Sequence, residues 1–517
     1  MGQKVSQSPT EVADKLFDQF VAAKEYEGLE GVDFGYENLV FEGGGNKGIG
    51  YVGMIKVLDD LGLLKNIKRF AGASMGAVIA TSLALGANSR QIFENFVIDL
   101  SKITSDGYAI DIFRSILKKY GWHPGKKLLK HFREECRKYT GNPDITFQQL
   151  YDLRGVELCL TVSNLSSCCV EYFHPKTTPD VSIALALRMS LSIPVLFRPM
   201  QMAINQSNPC YMVDGGLMNN YPITAYDGWF LDMEPNHSFF HMIDSPEDYF
   251  GKLNNKTLGA VVYDAFESEL NEEIYFSREE YEKPMRPNTK LAREKCVEVD
   301  KLLDDKVQRA QLVRASKKFL SILSASDLDR SGSISLEEFI HAMKSCPKDV
   351  LEILFLRDHV CEDLFREIDV DKNGEITYNE FINYVQQKGL PLRHHMTATN
   401  QRNINKFTDF LAAIFESRDL MIRQLQAKAE DVERTIGIYT DYIGVTDFKL
   451  EDEDKVFGAR QGWKATVAFL KERKEIMIGN EREVQRKRTI RSATRREHRR
   501  STRVSLVRRS VLAGNLY

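Results

Sequence analysis

No stretch of this 517-residue chain approaches the roughly twenty consecutive apolar residues that a membrane-spanning helix needs. The best run, "VIATSLALGA" at 78–87, is only ten residues long. The first ten residues, "MGQKVSQSPT", contain no apolar segment of the kind that marks a secretory leader, so export by a standard signal peptide is not expected. The eight cysteines (136, 159, 168, 169, 210, 296, 346 and 361) show no zinc-ligand spacing. They read as buried free thiols in a reducing compartment, and a disulfide framework is not expected. What remains is a globular composition, 43% hydrophobic and 28% charged, with length for two or three domains.

Charge is unevenly spread. Residues 481–509 carry twelve Lys/Arg against three Glu, a net of +9. The chain's net of −3 and the uncharged last eight residues therefore leave −12 on residues 1–480. An acidic body with a basic tail points to an anionic partner for the tail.

From residue 38 the pattern alternates in the α/β manner. Strands are expected at 38–42, 68–72, 156–165, 168–173 and 210–213, with helices near 49–61 and 76–86. Residues 90–150 are richer in helix signals and are expected to cap the sheet. A helix with Val12, Leu16, Phe17, Phe20 and Val21 on one face precedes this body, and helices flank two acidic loops between 305 and 390.

The strand at 38–42 ends in "EGGGNKG". Gly43, Gly45 and Gly48 satisfy G-x-G-x-x-G, and Asp59 or Asp60 lies within twenty residues, which is a dinucleotide-binding fingerprint on paper. The next strand offers a second reading. It runs into "GASMG", Gly72 to Gly76, which places Ser74 in a G-x-S-x-G between a strand and a helix. A serine on such a turn needs small neighbours, because the backbone is strained and packed close to other chain segments. The following helix points its N-terminal amides at developing negative charge. A glycine loop upstream of that serine is where acyl-transfer hydrolases keep backbone donors for an oxyanion.

These residues resemble the patatin-like phospholipases. The family's oxyanion loop G-G-G-x-K/R-G is matched by Gly43, Gly44, Gly45, Asn46, Lys47 and Gly48. Its nucleophile motif is matched by Ser74, and its D-G-G/A motif by Asp214, Gly215 and Gly216. A further family-like block, "LRMSLSIPVLFRP" at 187–199, lies between them. The resemblance implies a three-layer α/β/α hydrolase core that cleaves fatty-acyl esters of phospholipids. It implies a Ser-Asp dyad in which Ser74 attacks the ester carbonyl and Asp214 accepts its proton. The amides of Gly43–Gly45 would hold the oxyanion, and the dyad needs no metal. A carboxylate that titrates near about pH 4 in water is a weak base at neutral pH, so this chemistry requires shielding from solvent. The residues also leave open a triad in the order Ser…Asp…His, completed by His237 or His241.

"DLDRSGSISLEE" (327–338) and "DVDKNGEITYNE" (369–380) each fill the twelve-residue EF-hand loop. The first offers Asp327, Asp329, Ser331, the Ser333 carbonyl, Ser335 and Glu338 to calcium. The second offers Asp369, Asp371, Asn373, Glu375, Thr377 and Glu380. Gly332 and Gly374 allow the turn at position six, and Ile334 and Ile376 at position eight are expected to pair. Because the dyad needs no metal, calcium is read as regulatory.

Five segments follow: an N-terminal helix (1–34), a catalytic domain (35–300), an all-α EF-hand pair (305–390) and a helical C-terminal part of the catalytic domain (400–475). A basic tail (481–517) ends the chain. Residues 256–264 and 434–470 also resemble patatin segments, which makes the EF-hand pair an insertion. "MGQKVS" fits the N-myristoylation pattern at Gly2, and the tail would supply the second membrane signal. "RRST" (499–502) and "VRRSV" (507–511) are basophilic kinase motifs. Few aromatics interleave the basic residues, so an anionic membrane is favoured over nucleic acid. The expectation is a cytoplasmic, peripherally membrane-associated, calcium-regulated lipid acyl hydrolase. The alternative of a different class is a calcium-dependent membrane-binding sensor on an inactive hydrolase fold.

Overall fold

The structure of the chain, a computed structural model, describes residues 28–97, 112–203, 209–242, 249–265, 284–327, 331–355, 361–387, 429–447 and 449–479. Isolated positions elsewhere, among them Phe17, Tyr26, Asp106 and Arg418, are also described. Gly2, most of the expected N-terminal helix, Asp329 and the basic tail lie outside the described residues.

The central sheet has eight strands. They are β1 (Asn38–Phe41), β2 (Arg69–Gly72), β4 (Glu157–Asn164), β5 (Cys169–Phe173), β7 (Met200–Met202), β8 (Cys210–Asp214), β9 (Thr257–Tyr263) and β12 (Thr435–Tyr439). The order is β12-β9-β1-β2-β4-β8-β7, with β5 also on β4. The five strands from β12 to β4 run parallel. β5, β7 and β8 add antiparallel pairings. Every residue of β1, β4 and β9 is buried, as expected of strands covered on both faces. That is why "NLVF", "ELCLTVSN" and "TLGAVVY" read as nearly unbroken apolar runs.

Helices α1 (Ile49–Asp60) and α2 (Ser74–Ala84) follow β1 and β2. The expected cap contains α3 (Ile112–Lys119) and α4 (Lys126–Thr140), and α5 (Ile183–Ser190) precedes β8. A small parallel pair joins β3 (Gly121–His123) to β6 (Val195–Phe197). Among the described residues no helix is long and apolar enough to cross a membrane. The cysteines are free, but only Cys136, Cys159 and Cys346 are buried; Cys168 and Cys169 sit exposed where β5 begins.

Two expected boundaries change. The junction at 300–305 falls inside one continuous helix, α6 (Lys290–Ser326), of 37 residues and about 55 Å. Its first half packs Ala292 and Val299 into the catalytic core. Its last turns pack Ala315, Phe319 and Leu323 into a separate core with the helices of the calcium loops. No linker divides the two. The stretch 400–475, expected as helical, also contributes a strand: β12 pairs in parallel with β9 at the sheet edge, and a helix over 452–479 follows. The acidic loops thus lie in the chain between two neighbouring strands of one sheet.

β12 is anchored at its start. Arg434 is buried and donates to both carboxylate oxygens of Asp227 (2.8 and 2.6 Å) and to Asp431 (2.6 Å). Removing one member of a buried pair strands the other's charge. Arg434→Met should lower stability in chemical denaturation by about 3–5 kcal/mol, and the double variant Arg434→Met/Asp227→Leu should recover most of that loss.

Candidate active site

Ser74 stands where β2 turns into α2, with its backbone in the left-handed region at φ +50°. A non-glycine residue there carries strain that its surroundings must hold. The flanking glycines explain how. A Cβ on Gly76 would lie 2.4 Å from the Phe41 carbonyl oxygen, and one on Gly72 would lie 2.3 Å from the Gly76 carbonyl oxygen. The small residues of G-x-S-x-G let the turn pack directly on backbone. The amide of Ser74 donates to Ser190 Oγ (3.0 Å), whose hydroxyl donates in turn to the Thr161 carbonyl (2.8 Å).

Asp214 arrives from another strand. β2 pairs with β4 up to Leu160, and β8 pairs with β4 from Val162, where Asp214 sits. β5 occupies the opposite edge of β4 over Leu160–Asn164. β2 and β8 therefore share one edge and meet end to end. Ser74 Oγ donates to Asp214 Oδ2 at 2.8 Å. Asp214 is only 5% exposed, its Oδ1 accepts the Gly216 amide (2.7 Å), and its own amide donates to the Ser192 carbonyl (3.0 Å). A Cβ on Gly215 would stand 2.1 Å from the Thr161 carbonyl oxygen. The two histidines of the triad reading have other partners: His237 bonds Asp232 (2.6 Å) and His241 bonds Ser238 (2.6 Å).

The glycine loop is partly reassigned. The Gly43 amide, expected in the oxyanion hole, donates to the Asn220 carbonyl (3.0 Å), while Asn220 Nδ2 donates to the Gly43 carbonyl (2.9 Å). Gly43 is thus clamped beside Ser74, where a Cβ would approach Ser74 Cβ to 3.0 Å. The amides of Gly44 and Gly45 have no acceptor among the described residues. Gly45 has φ +53° and abuts the Val445 carbonyl oxygen, which also accepts the Asn46 amide (3.1 Å). Lys47 and Gly48 are buried at the start of α1, and a Cβ on Gly48 would meet Met75 at 2.6 Å. The loop meets the Ser74 turn at its two ends, Gly43 against Ser74 and Gly48 against Met75, while Gly44 faces Val262 and Gly45 faces Val445.

Several residues of the site carry no local signal in the sequence. Arg188 is buried, and burial pushes its guanidinium down to about 10. It donates to the carbonyls of Pro124 (2.9 Å), Gly125 (3.2 Å) and Arg198 (3.1 Å) and to Ser192 Oγ, so it holds the loop beneath Asp214. Arg418 donates to the Gly216 carbonyl. The loop after β12 is tied to the first turns of α6. Arg286 grips Asp441 and Asp300, Lys295 bonds Asp447, and Thr289 caps α6 and bonds Asp454 (2.5 Å).

The calcium loops are built at the far end of α6. β10 (Ser333–Ser335) and β11 (Glu375–Thr377) pair antiparallel, with Ile334 opposite Ile376 as the spacing predicts. Asp327 accepts the amides of Ser331 and Gly332, and Asp369 accepts those of Asn373 and Gly374. Gly332 and Gly374 have φ +79° and +86°. One carboxylate oxygen each from Asp369, Asp371 and Glu380 lies within 4.8 Å of the others, a convergence that suits a hard divalent cation. Ser331 Oγ bonds the Ser333 carbonyl (3.0 Å), Ser335 bonds Glu338, and Thr377 bonds Glu380. Glu375 accepts from Ser333 Oγ (2.5 Å) across the pair. These residues fit calcium, which would supply the positive charge that the converging carboxylates leave unbalanced.

The serine turn, the buried Asp214 and the glycine loop come together on an α/β sheet. Residues 39–227 match the family described as patatin-like phospholipase. Residues 327–386 and 306–346 match EF-hand domain pairs. The chain belongs to the patatin-like phospholipase family and carries an EF-hand pair. It is 30% identical over 203 residues to the uncharacterized protein YqhO of Bacillus subtilis, covering 37% of this chain and 67% of that protein. It is 28% identical over 195 residues to a probable lipid hydrolase, 463L, of Invertebrate iridescent virus 6, covering 36% of this chain. The match spans 62% of the viral protein, about three fifths of its length. VipD from Legionella pneumophila aligns in structure with a TM-score of 0.38 at 18% identity, over 84% of this chain and 67% of that one.

Asn220 is another residue of this site to which the motifs assign no role. Asn220→Ala should release Gly43 and lower kcat for ester hydrolysis by about tenfold to a hundredfold, with KM little changed, because misplacing a catalytic loop by an ångström costs rate. Steady-state kinetics on a dissolved ester measures both.

Proposed function

We propose that this chain is a calcium-regulated lipid acyl hydrolase of phospholipase A type that works through a Ser74–Asp214 dyad. The observation that carries this reading is the 2.8 Å hydrogen bond from a strained Ser74 to a buried Asp214. Ser74 Oγ attacks the acyl carbonyl carbon and its proton passes to Asp214. The oxyanion takes hydrogen bonds from the Gly44 and Gly45 amides, the pair without other acceptors among the described residues. As the carbonyl re-forms, the ester bond breaks and the departing alcohol, a lysophospholipid, takes the proton from Asp214. Water then attacks the acyl-serine, giving Asp214 a proton that returns to Ser74 Oγ as the fatty acid leaves. Burial of Asp214 answers the weakness of a carboxylate base, since proton transfer over a short, shielded bond needs no solvent reorganisation.

Regulation by calcium is supported by continuity. Asp327, first of the loop ligands, follows the last residue of α6. The first turns of α6 hold the loop 441–447, and that loop's Val445 carbonyl holds the Asn46 amide beside the oxyanion donors. A change in the EF-hand helices therefore bears on the glycine loop through one rigid rod. We extend the proposal to the membrane: Gly2 and the basic tail would act as paired anchoring signals.

Fatty-acid release from phospholipid vesicles tests the dyad. Ser74→Ala and Asp214→Asn should each lose at least about a thousandfold, and His237→Ala and His241→Ala should stay within about twofold of wild type. A loss in His241→Ala equal to that in Asp214→Asn would replace the dyad with a triad. Calcium-dependent vesicle binding by wild type without any release would instead leave a sensor.

For calcium, Glu338→Gln/Glu380→Gln should make the rate of release the same with and without the ion, measured in buffered calcium. A calcium response that survives this change would detach the EF-hands from control of the site.

A further inference from the structure

One surface of the acidic body is basic. Residues 112–133 contain seven Lys/Arg and no Asp or Glu, in a chain whose first 480 residues carry −12. At its tip, the last turn of α3 exposes Leu117 (62%), Lys118 and Lys119, and Tyr120 (58%) follows. We propose that this tip, Leu117 to Tyr120 with Arg114 and Lys126 beside it, is a docking surface for an anionic phospholipid bilayer that seats the catalytic site on its substrate.

The tip is held out by the backbone. Tyr120 has φ +60°, and Val195, paired with Gly121, has φ +70°; both are left-handed positions that a tyrosine and a valine rarely take. Gly121 lies so close to β6 that a Cβ would stand 2.2 Å from the Phe197 carbonyl oxygen. The chain must turn sharply there, and the turn projects the Tyr120 ring outward, edge-on to Tyr211 at 5.6 Å. Ser115 Oγ donates to the Gly121 carbonyl (2.6 Å) and accepts from Arg198 (3.0 and 3.2 Å), which fixes α3 to the same turn. Asp106 is turned inward: it accepts the amides of Gly125 (3.0 Å), Lys126 (2.6 Å) and Lys127 (3.2 Å) and lies 3.9 Å from His123, while farther along the segment Arg133 pairs with Asp144 and Lys130 lies 3.7 Å from Glu134. Among the described residues no carboxylate pairs with Lys118 or Lys119 at the tip.

Leucine and tyrosine between lysines suit a bilayer interface. The apolar groups enter the headgroup layer while the ammonium groups meet lipid phosphates. The position suits it as well. Arg188 binds the Pro124 and Gly125 carbonyls on one side and Ser192 on the other, and Ser192 carries the Asp214 amide. The tip and the dyad's acid thus share one buried scaffold. An acidic protein would match the charge but gives no reason for the bare leucine and tyrosine. The inference rests on the reading of the site as a lipid hydrolase.

The full chain bearing Ser74→Ala leaves vesicles intact, so binding can be measured apart from catalysis. By co-sedimentation with phosphatidylcholine vesicles containing about 30% phosphatidylserine, Leu117→Ser/Lys118→Glu/Lys119→Glu should lower partitioning about tenfold or more, with the tail intact. Lys118→Arg/Lys119→Arg should retain it. With Ser74 restored, the triple variant should lose fatty-acid release from these vesicles in parallel while hydrolysing a dissolved short-chain ester within about twofold of wild type. Unchanged partitioning of the triple variant would overturn the proposal and leave the tail, or an acidic protein, as the occupant of interest. An equal loss on the dissolved ester would also overturn it, by making the tip part of the catalytic scaffold. If the triple variant loses partitioning but wild type cleaves neither substrate, docking stands and the hydrolase reading fails.

Discussion

The meeting of Ser74 with Asp214 depends on a single strand edge. β4 is long enough to pair with β2 along its first half and with β8 along its second, on the same side, because β5 fills the other. Two strands that run toward each other along a common neighbour must stop, and each stops in a turn. One turn carries Ser74 and the other Asp214. A sequence separation of 140 is bridged by the pairing of β2 and β8 with β4. Pre-organisation on rigid elements is what the proposed carboxylate base would require.

Around that edge, backbone packs on backbone. The nucleophile turn touches the Phe41 carbonyl, Gly215 touches the Thr161 carbonyl, and Gly45 touches the Val445 carbonyl. Each contact admits only glycine, and they tie the site to β1, to β4 and to the loop after β12. The consequence is that the glycine loop is not an independent module. Its outer wall, the loop after β12, is itself pinned by α6, whose other end enters the calcium-loop core. A helix shared between two cores transmits displacement better than a linker can, because neither core can move it without repacking.

The parts legible in the sequence are those set by local geometry. Strands β1, β2, β4, β5 and β8 fall within a residue or two of expectation; for β1 and β4 the reason is full burial, which leaves continuous apolar runs. Ser74, Asp214, the glycine loop and both EF-hand loops are each marked by glycines at fixed offsets. Partners chosen across the fold left no such mark. Asn220, Ser190, Arg188 and Val445 act through contacts 29 to several hundred residues away, and nothing beside them in the chain announces it. Arg188 and Ser190 sit in the family-like block at 187–199, but the block alone did not say what they hold. The motif treats three glycines alike, and it is the bond to the Asn220 carbonyl that sets the Gly43 amide apart. The boundary at 300–305 failed for a related reason: a helix that changes cores midway shows no break in helical pattern.

The central claim is that Ser74 is a nucleophile activated by Asp214 alone. Its most direct measurement is covalent trapping with a fluorophosphonate bearing a long alkyl chain, followed by peptide mass spectrometry. The account predicts a stoichiometric adduct on Ser74 in wild type and in the His237→Ala and His241→Ala variants, with labelling abolished in Asp214→Asn. An adduct on another residue, or undiminished labelling of Ser74 in Asp214→Asn, would contradict it.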